Sequence, residues 1–201
     1  MPTAWIILLK KNDMKIGITG GIGSGKSYVC SQLKLMGIDV YDCDEAAKRL
    51  LRTSYSLKKQ MCSLIGNETY DENGILNKKV VADFLLASEE NAGKIDAIVH
   101  PVVAQDYKAS GCQWMECAII FESGFNMLVD KVVCVVAPEE LRVSRVMKRD
   151  GISREQVLQW MSKQFPQDSV LKMSDYEIIN DGTVGIDTQL KKILLKIKNN
   201  Q

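Results

Sequence analysis

The residues best suited to chemistry in this sequence lie in a short glycine-rich segment near its start. Residues 20–27 read Gly-Gly-Ile-Gly-Ser-Gly-Lys-Ser, which fits the pattern G-x-x-x-x-G-K-[ST] at every defined position. Glycines allow consecutive backbone N–H groups to curl around a phosphate, and a helix that begins at Lys26 would direct its positive end toward the same anion. Lys26 could bridge two phosphates, and the Ser27 hydroxyl could ligate Mg²⁺. The segment therefore predicts a Walker A loop that binds the phosphates of ATP.

The sequence on either side of this loop supports the same interpretation. The alternative is a glycine-rich turn that happens to precede a helix, so the context decides between the two. Residues 15–19 predict a short apolar strand before the loop, and apolar residues at helical spacing predict an amphipathic helix after it, ended by Gly37. The predicted nucleotide-binding residues are Gly21, Gly23, Ser24, Gly25, Lys26, Ser27 and Tyr28, and the predicted metal ligand is Ser27.

Two acidic residues, Asp42 and Asp44, come at the end of the second predicted strand, residues 38–42. Ligands bind at the carboxyl ends of the strands in open parallel sheets. One carboxylate there could orient or deprotonate an acceptor hydroxyl, and the other could hold Mg²⁺ through water. Alternatively, Asp44 is the N-cap of a helix that begins at Glu45, since Asp is a favoured cap. The residue types alone leave both interpretations open.

Arginines recur along one predicted helix in the second half of the chain. Arg142, Arg145 and Arg149 are spaced i, i+3 and i+7, so they share a face, and Arg154 begins the next helix. Such a run is often an ordinary solvated basic face. The functional alternative is a lid that closes over ATP and supplies guanidinium groups to the transferring phosphate.

These residues need a parallel sheet to bring them together. The opening strand–loop–helix–strand unit implies parallel strands, and apolar runs predict further strands at 114–121, 131–136 and 176–179. Ser153 and Gln156 form a capping box for one of the helices. Helices are predicted at 45–52, 56–65, 78–87, 89–108, 138–150 and 153–165, and in a closing segment from 186.

Composition sets outer limits on the protein class. The 201 residues carry a net charge of +1, so the overall charge does not indicate binding to nucleic acid or to an anionic membrane. Six cysteines without a CxxC pair, and a single histidine, argue against a zinc site and favour free, buried thiols in a reducing cytoplasm. The apolar run at 4–9 is too short to span a bilayer, and we expect residues 1–13 to be an N-terminal extension.

The sequence argues against two other classes of nucleotide-binding protein, GTPases and mechanical ATPases. A GTPase needs an Asn-Lys-x-Asp loop after a strand, and the Asn-Lys at 77–78 lacks the Asp and does not follow a strand. A mechanical ATPase is usually larger. Residues 45–112 are predicted to form a helical lobe inserted between strands, and the predicted helices at 138–150 and 153–165 are rich in arginine. A small chain with these two features fits a small-molecule kinase.

Several motifs in a fixed order point to one family of such kinases. Beyond the loop they are Val-Tyr-Asp-Cys-Asp at 40–44, His-Pro at 100–101, Phe-Glu-Ser-Gly at 121–124, Arg-Val-Met-Lys-Arg-Asp at 145–150 and Ile-Asn-Asp-Gly at 179–182. On these motifs the chain resembles the dephospho-CoA kinase family. The resemblance implies Mg²⁺-dependent transfer of the ATP γ-phosphate to the ribose 3′-hydroxyl of dephospho-CoA, the last step of CoA synthesis.

The resemblance also implies roles for individual residues. It favours Asp44 as the catalytic base, with Lys26 and Arg149 as further catalytic residues, and it adds Arg145, Asn180 and Gly182 to the ATP-binding set and His100, Glu122 and Asp44 to the substrate-binding set. From the residue types alone, His100 could be structural beside Pro101, and 180–182 could be a plain turn. Glu122 could be a water-mediated Mg²⁺ partner or could cap the turn at Ser123.

The resulting expectation is an α/β P-loop NTPase fold, with a parallel sheet of about five strands flanked by helices. Residues 14–44, 113–137 and 174–201 form the nucleotide-binding core, 45–112 an inserted helical substrate lobe, and 138–173 a helical lid. Val170 departs from the family pattern, in which a basic residue is common at that position. The alternatives are another small-molecule or nucleotide kinase on this fold, or a nucleotide-dependent regulatory protein.

Overall fold

A five-stranded sheet organises the part of the chain that the computed structural model describes, residues 13–199. The strand order is β2-β3-β1-β4-β5, and the pairs β1–β3, β1–β4 and β4–β5 are parallel. This confirms the predicted fold class. The strands are β1 (Ile16–Thr19), β2 (Val40–Asp42), β3 (Trp114–Glu116), β4 (Lys131–Val136) and β5 (Tyr176–Ile179).

Nine α-helices connect and cover these strands within the described residues. Two short 3-10 helices, Asn67–Thr69 and Phe125–Leu128, lie in the connections. The α-helices are α1 (Lys26–Leu35), α2 (Cys43–Thr53), α3 (Tyr55–Ile65), α4 (Lys78–Ala87), α5 (Glu90–Ser110), α6 (Glu139–Asp150), α7 (Arg154–Met161), α8 (Gln167–Lys172) and α9 (Ile186–Asn199).

The chain divides into two compact units. The nucleotide unit comprises the residues up to Tyr41 and those from Cys112 onward. Its main core packs α1 and α9 on the sheet, with Ile18, Val133 and Val135 fully buried. The continuous apolar sequence of β4 follows from this, because a central parallel strand is covered on both faces.

The second unit, the helical unit, is Asp42–Gly111. Its longest helix, α5, contacts α2, α3 and α4, and Leu57, Met61 and Val103 are buried within the unit. Helix α4 differs from its neighbours because none of its residues is fully buried. No described helix is long and apolar enough to cross a membrane.

The predicted strand at 114–121 is wrong in length, because β3 ends at Glu116. The ladder ends where Cys117 N donates to Ile18 O (3.0 Å). The following residues close turns instead, with Ser123 N donating to Ile119 O (2.9 Å). Glu122 therefore lies in a turn and does not end a strand.

Helix ends also differ from the prediction in informative ways. The helix expected from Glu45 begins at Cys43, and its N-cap is Asp42, whose Oδ1 accepts from Glu45 N (3.0 Å). The alternative in which Asp44 caps this helix is therefore wrong. The Ser153 capping box is confirmed, but α7 ends at Met161, and the short helix α8 follows Pro166.

The remaining expectations concern the cysteines and the N-terminus. None of the six cysteines forms a disulfide within residues 13–199, and four of them are buried. Burial raises the pKa of the Cys134 thiol to about 11. The described residues contain no group of three or more metal-binding side chains. The predicted extension, residues 1–13, lies outside the described residues except for Asp13.

Candidate nucleotide-binding site

The glycine-rich loop joins β1 to α1 in a conformation that glycine permits. Gly23 has φ +78°, and a Cβ atom there would collide with the backbone of Arg142. Gly25 has φ +93° and forms the left-handed N-cap of α1. Both conformations and the close backbone approach require glycine, so the two residues fix the shape of the loop.

The two side chains that complete the Walker A pattern lie at the start of α1. The Lys26 Nζ atom donates to Gly20 O (2.7 Å), so the ammonium group folds back over the loop. The Ser27 hydroxyl donates to Glu116 Oε1 (3.0 Å), at the carboxyl end of β3. The helix N-terminus, the ammonium group and the loop amides belong to one anion-binding arrangement.

Glu116 is a functional candidate that the sequence analysis missed. The overlong strand prediction hid it, because it appeared to lie inside a strand and not at its end. The usable signal is an acidic residue directly after the buried pair Trp114-Met115, at the carboxyl edge of a strand beside β1. Hydroxyl and carboxylate oxygens are the ligands that Mg²⁺ prefers, so Ser27 with Glu116 fits a Mg²⁺ ion.

Arg145 and Asn180 connect the loop to the turn after β5. Arg145 Nη1 donates to Gly23 O (3.3 Å), and its Nη2 donates to Asn180 O (2.9 Å). The Asn180 side chain donates to Ser24 O (2.8 Å). The structure therefore brings these two predicted ATP-binding residues together with the Walker A loop. Gly182 follows in the same turn, with φ +89°.

Two further polar residues, Arg142 and Gln164, hold the same loop from the segment that follows β4, and Gln167 holds Arg142 in turn. Arg142 Nε donates to Ile22 O (3.0 Å), and its Nη1 donates to Gln167 Oε1 (3.3 Å). Gln164 Oε1 accepts from Ile22 N (2.8 Å). Burial lowers the pKa of Arg142. The arginine spacing indicated a shared face but not that Arg142 is buried, and no sequence signal marked the two glutamines.

Arg149 is placed differently from the two arginines before it on α6. Its guanidinium makes a bidentate pair with the adjacent Asp150, at 2.8 and 2.7 Å, and its side chain is 63% exposed. The pair raises the pKa of Arg149 and lowers that of Asp150. Arg154 likewise pairs with Glu140 (2.8 and 2.6 Å).

Asp44 and His100 belong to the helical unit. Asp44 lies in the first turn of α2 and is exposed, and within residues 13–199 its carboxylate accepts no hydrogen bond. Its electrostatic neighbour is Lys48. His100 is half-buried on α5, with Nε2 at 3.6 Å from Asp96 Oδ1.

The other predicted site residues lie in the nucleotide unit. Glu122 Oε1 accepts from Phe165 N (3.0 Å), which connects the turn after β3 to the end of the predicted lid. Tyr28 is 55% exposed on α1. Both remain predictions as ligand-binding residues.

Gln189 on α9 supports the turn after β5, and the sequence analysis missed it. Its Oε1 atom accepts from Ile179 N (2.9 Å), and its Nε2 atom donates to Ile179 O (2.8 Å) and to Val184 O (3.1 Å). The amide thereby fixes both ends of the turn that carries Asn180. A single glutamine on an amphipathic helix gives no sequence signal for this role.

The sheet order and the Walker A loop together define the class of protein as a P-loop phosphotransferase. Its fold is that of the structure titled "Dephospho-CoA kinase from Campylobacter jejuni", with a TM-score of 0.64 over 92% of this chain and 98% of that one, at 20% identity. The family model described as dephospho-CoA kinase matches residues 14–185. The chain belongs to the dephospho-CoA kinase family, as its motifs predicted.

Curated relatives agree with this assignment. The dephospho-CoA kinase of Bacteroides fragilis (strain YCH46) is 39% identical over 192 residues, which cover 90% of this chain and 91% of the relative. The dephospho-CoA kinase of Porphyromonas gingivalis is 42% identical over 176 residues, which cover 82% of this chain and 85% of the relative.

Proposed function

We propose that the protein transfers the γ-phosphoryl group of ATP to the ribose 3′-hydroxyl of dephospho-CoA, giving CoA and ADP. One observation carries the proposal: a complete Walker A loop, with Ser27 bonded to Glu116, lies in a chain that matches the family model across residues 14–185. The loop accounts for the phosphate donor, and the family accounts for the acceptor.

The donor side of the reaction follows from the contacts of the loop. The loop amides and the N-terminus of α1 bind the phosphates, and Lys26 exchanges its contact with Gly20 O for phosphate oxygens. Ser27 and Glu116 would hold Mg²⁺, which neutralises phosphate charge when it is bound. Arg145 and Asn180 keep the loop and the turn after β5 in a fixed relation, and Gly182 lets that turn lie against the nucleotide.

The acceptor side assigns the proton transfer to Asp44. An exposed carboxylate that accepts no hydrogen bond from the described residues is available to a substrate hydroxyl. Asp44 would orient the 3′-hydroxyl and take its proton while the γ-phosphoryl group is transferred. His100 and Glu122 are proposed to bind dephospho-CoA, and 45–112 is proposed as its lobe.

The predicted lid, residues 138–173, is proposed to supply the last catalytic group. Among the described residues the exposed Arg149 guanidinium pairs with Asp150 alone, and an exposed ion pair contributes little stability. The guanidinium can therefore exchange that carboxylate for the transferring phosphoryl group when the lid closes. We also expect the protein to act in the cytoplasm, with no nucleic-acid or membrane partner.

The reaction can be tested directly by the mass of its product. The protein is incubated with Mg-ATP and dephospho-CoA, and we expect a product heavier by one phosphoryl group. The 3′-deoxy analogue of dephospho-CoA should give none, and the Lys26→Ala variant should give little. Phosphorylation only of nucleoside monophosphates would favour another kinase, and ATP binding without any acceptor would favour a regulatory protein.

A further inference from the structure

Arg142 carries a buried positive charge at the Walker A loop. The residue is 6% exposed, and within residues 13–199 no carboxylate forms an ion pair with it. The Glu139 carboxylate acts on it electrostatically, but it raises the pKa of Arg142 less than burial lowers it. Within the described residues its hydrogen bonds go to neutral acceptors, Ile22 O and Gln167 Oε1. Burial of a charge without a partner is costly, so an arginine in this position calls for an anion that compensates it.

Two other arginines of this region differ from Arg142 in exposure and in their partners. Arg149 and Arg154 are exposed and make bidentate pairs with Asp150 and Glu140. On α6, the buried Arg142 and the half-buried Arg145 both contact the loop and have no carboxylate in an ion pair among the described residues, whereas the exposed Arg149 has one. This difference indicates that the compensating anion is supplied by a ligand.

The guanidinium lies against the Walker A loop, which is the proposed binding site of the nucleotide phosphates. Arg142 Nε is bonded to Ile22 O, and a Cβ atom added to Gly21 would collide with Arg142 Nη2. Gly21 is not required by the Walker A pattern, and its φ is not positive. The close approach of Arg142 therefore accounts for glycine at position 21, where the Walker A pattern allows any residue.

We infer that Arg142 is a positioning residue for the nucleotide phosphates, acting through the loop. It holds the loop at Ile22 by its hydrogen bond, and its unpaired charge attracts the polyphosphate across the loop. The inference rests on the proposed nucleotide site and extends it to a residue outside the pattern. In a buried, low-dielectric setting a full charge acts over several ångströms, so direct contact with phosphate is not needed.

The test separates charge from shape by comparing three variants in titration calorimetry. Arg142→Gln removes the charge and keeps an amide donor, and Arg142→Lys keeps the charge. Lys192→Gln, on α9, removes the same charge from an exposed position. Each is titrated with ATP, ADP and adenosine, and the melting temperature of each is measured first to confirm folding.

For Arg142→Gln we expect ATP binding about tenfold weaker, equivalent to ~1.4 kcal/mol. Its ADP binding should be weakened less, and its adenosine binding should be within about twofold of wild type. Arg142→Lys should recover most of the ATP affinity, and Lys192→Gln should match wild type. Gly21→Ala, which displaces the guanidinium without removing it, should weaken ATP binding in wild type but not further in Arg142→Gln.

Other results would overturn the inference. Equal weakening for ATP and adenosine, or no recovery in Arg142→Lys, would reduce Arg142 to a structural support. Unchanged ATP binding in Arg142→Gln would contradict both roles given to Arg142, the hydrogen bond that holds the loop and the charge that attracts the phosphates. The acceptor is absent from these titrations, so they stand if dephospho-CoA proves not to be the substrate. A wild-type protein that binds no ATP would instead refute the nucleotide site itself.

Discussion

The two compact units hold their proposed site residues in different ways. In the nucleotide unit the Walker A loop is fixed by hydrogen bonds from Arg142, Arg145, Gln164 and Asn180, which come from three separate segments. In the helical unit Asp44 is exposed and accepts no hydrogen bond from the described residues. The proposed donor site is therefore preorganised, whereas Asp44, as the proposed acceptor-side carboxylate, would depend on substrate for its orientation.

This difference has a chemical meaning for a phosphotransferase. Preorganised amides and cations lower the barrier because they need not reorganise when charge develops on the phosphate. A general base must instead meet a hydroxyl that arrives with each substrate molecule. The comparison predicts that changes around the Walker A loop and the turn after β5 alter the use of Mg²⁺ or ATP, while a change at Asp44 alters turnover alone.

The largest expected effect is that of Asp44→Asn. Loss of a general base lowers kcat by about 10²- to 10⁴-fold. ATP binding should stay within about twofold of wild type, because the side chain lies outside the nucleotide unit. Single-turnover phosphorylation and calorimetry measure the two quantities. Glu45→Gln, at the next exposed carboxylate of α2, is the matched control, and wild-type turnover in Asp44→Asn would remove the base assignment.

The second effect concerns the pair of Ser27 and Glu116. Glu116→Gln should lower turnover by about tenfold or more at low Mg²⁺ and recover partly as Mg²⁺ is raised, because one oxygen ligand has lost its charge. Ser27→Ala should show the same dependence more strongly. Titration of activity with Mg²⁺ provides the measurement. Equal losses at every Mg²⁺ concentration would contradict a metal role for Glu116.

Arg149→Ala should have a smaller and more selective effect. We expect kcat to fall by about tenfold, the size of one charge-assisted hydrogen bond, with little change in the KM for ATP. Steady-state kinetics with both substrates measure this. Lys192→Ala controls for the loss of a surface charge, and unchanged kinetics in Arg149→Ala would identify Arg149 as an ordinary surface residue paired with Asp150.

The smallest effect is expected for Gln189→Ala. The variant loses three hydrogen bonds to the ends of the turn after β5, each worth about 1 kcal/mol or less at this partly exposed site. The KM for ATP should rise by about two- to fivefold, while the KM for dephospho-CoA should not change. A change in the acceptor KM alone would contradict the role given to this turn.

The sequence was informative where a local pattern determines the structure. The glycines, Lys26 and Ser27 form a contiguous motif, and the apolar runs of β1 and β4 reflect burial on both faces, so the fold class could be predicted and is confirmed. The strand ending at Glu116 was overextended because residues 118–121 are apolar, and only the loss of a pairing partner ends it.

Contacts between distant segments could not be predicted in the same way. The bond between Gln164 and Ile22 joins residues 142 positions apart, and neither residue type marks it. Arg142 appeared to belong to a basic helix face, yet its place beside Gly21 buries it. Burial of a single arginine depends on tertiary packing, which helical spacing does not contain.

The amide of Gln189 also affects solubility, because it covers part of an open edge of the sheet. Strand β5 lies at the edge of the sheet, and an open edge can recruit a strand from another molecule. The Gln189 side chain bonds both the N–H and the C=O of Ile179, much as a neighbouring strand would. The last residue of β5 is thereby closed to pairing from outside, so the helix that supports the turn after β5 also protects the sheet from edge-to-edge association.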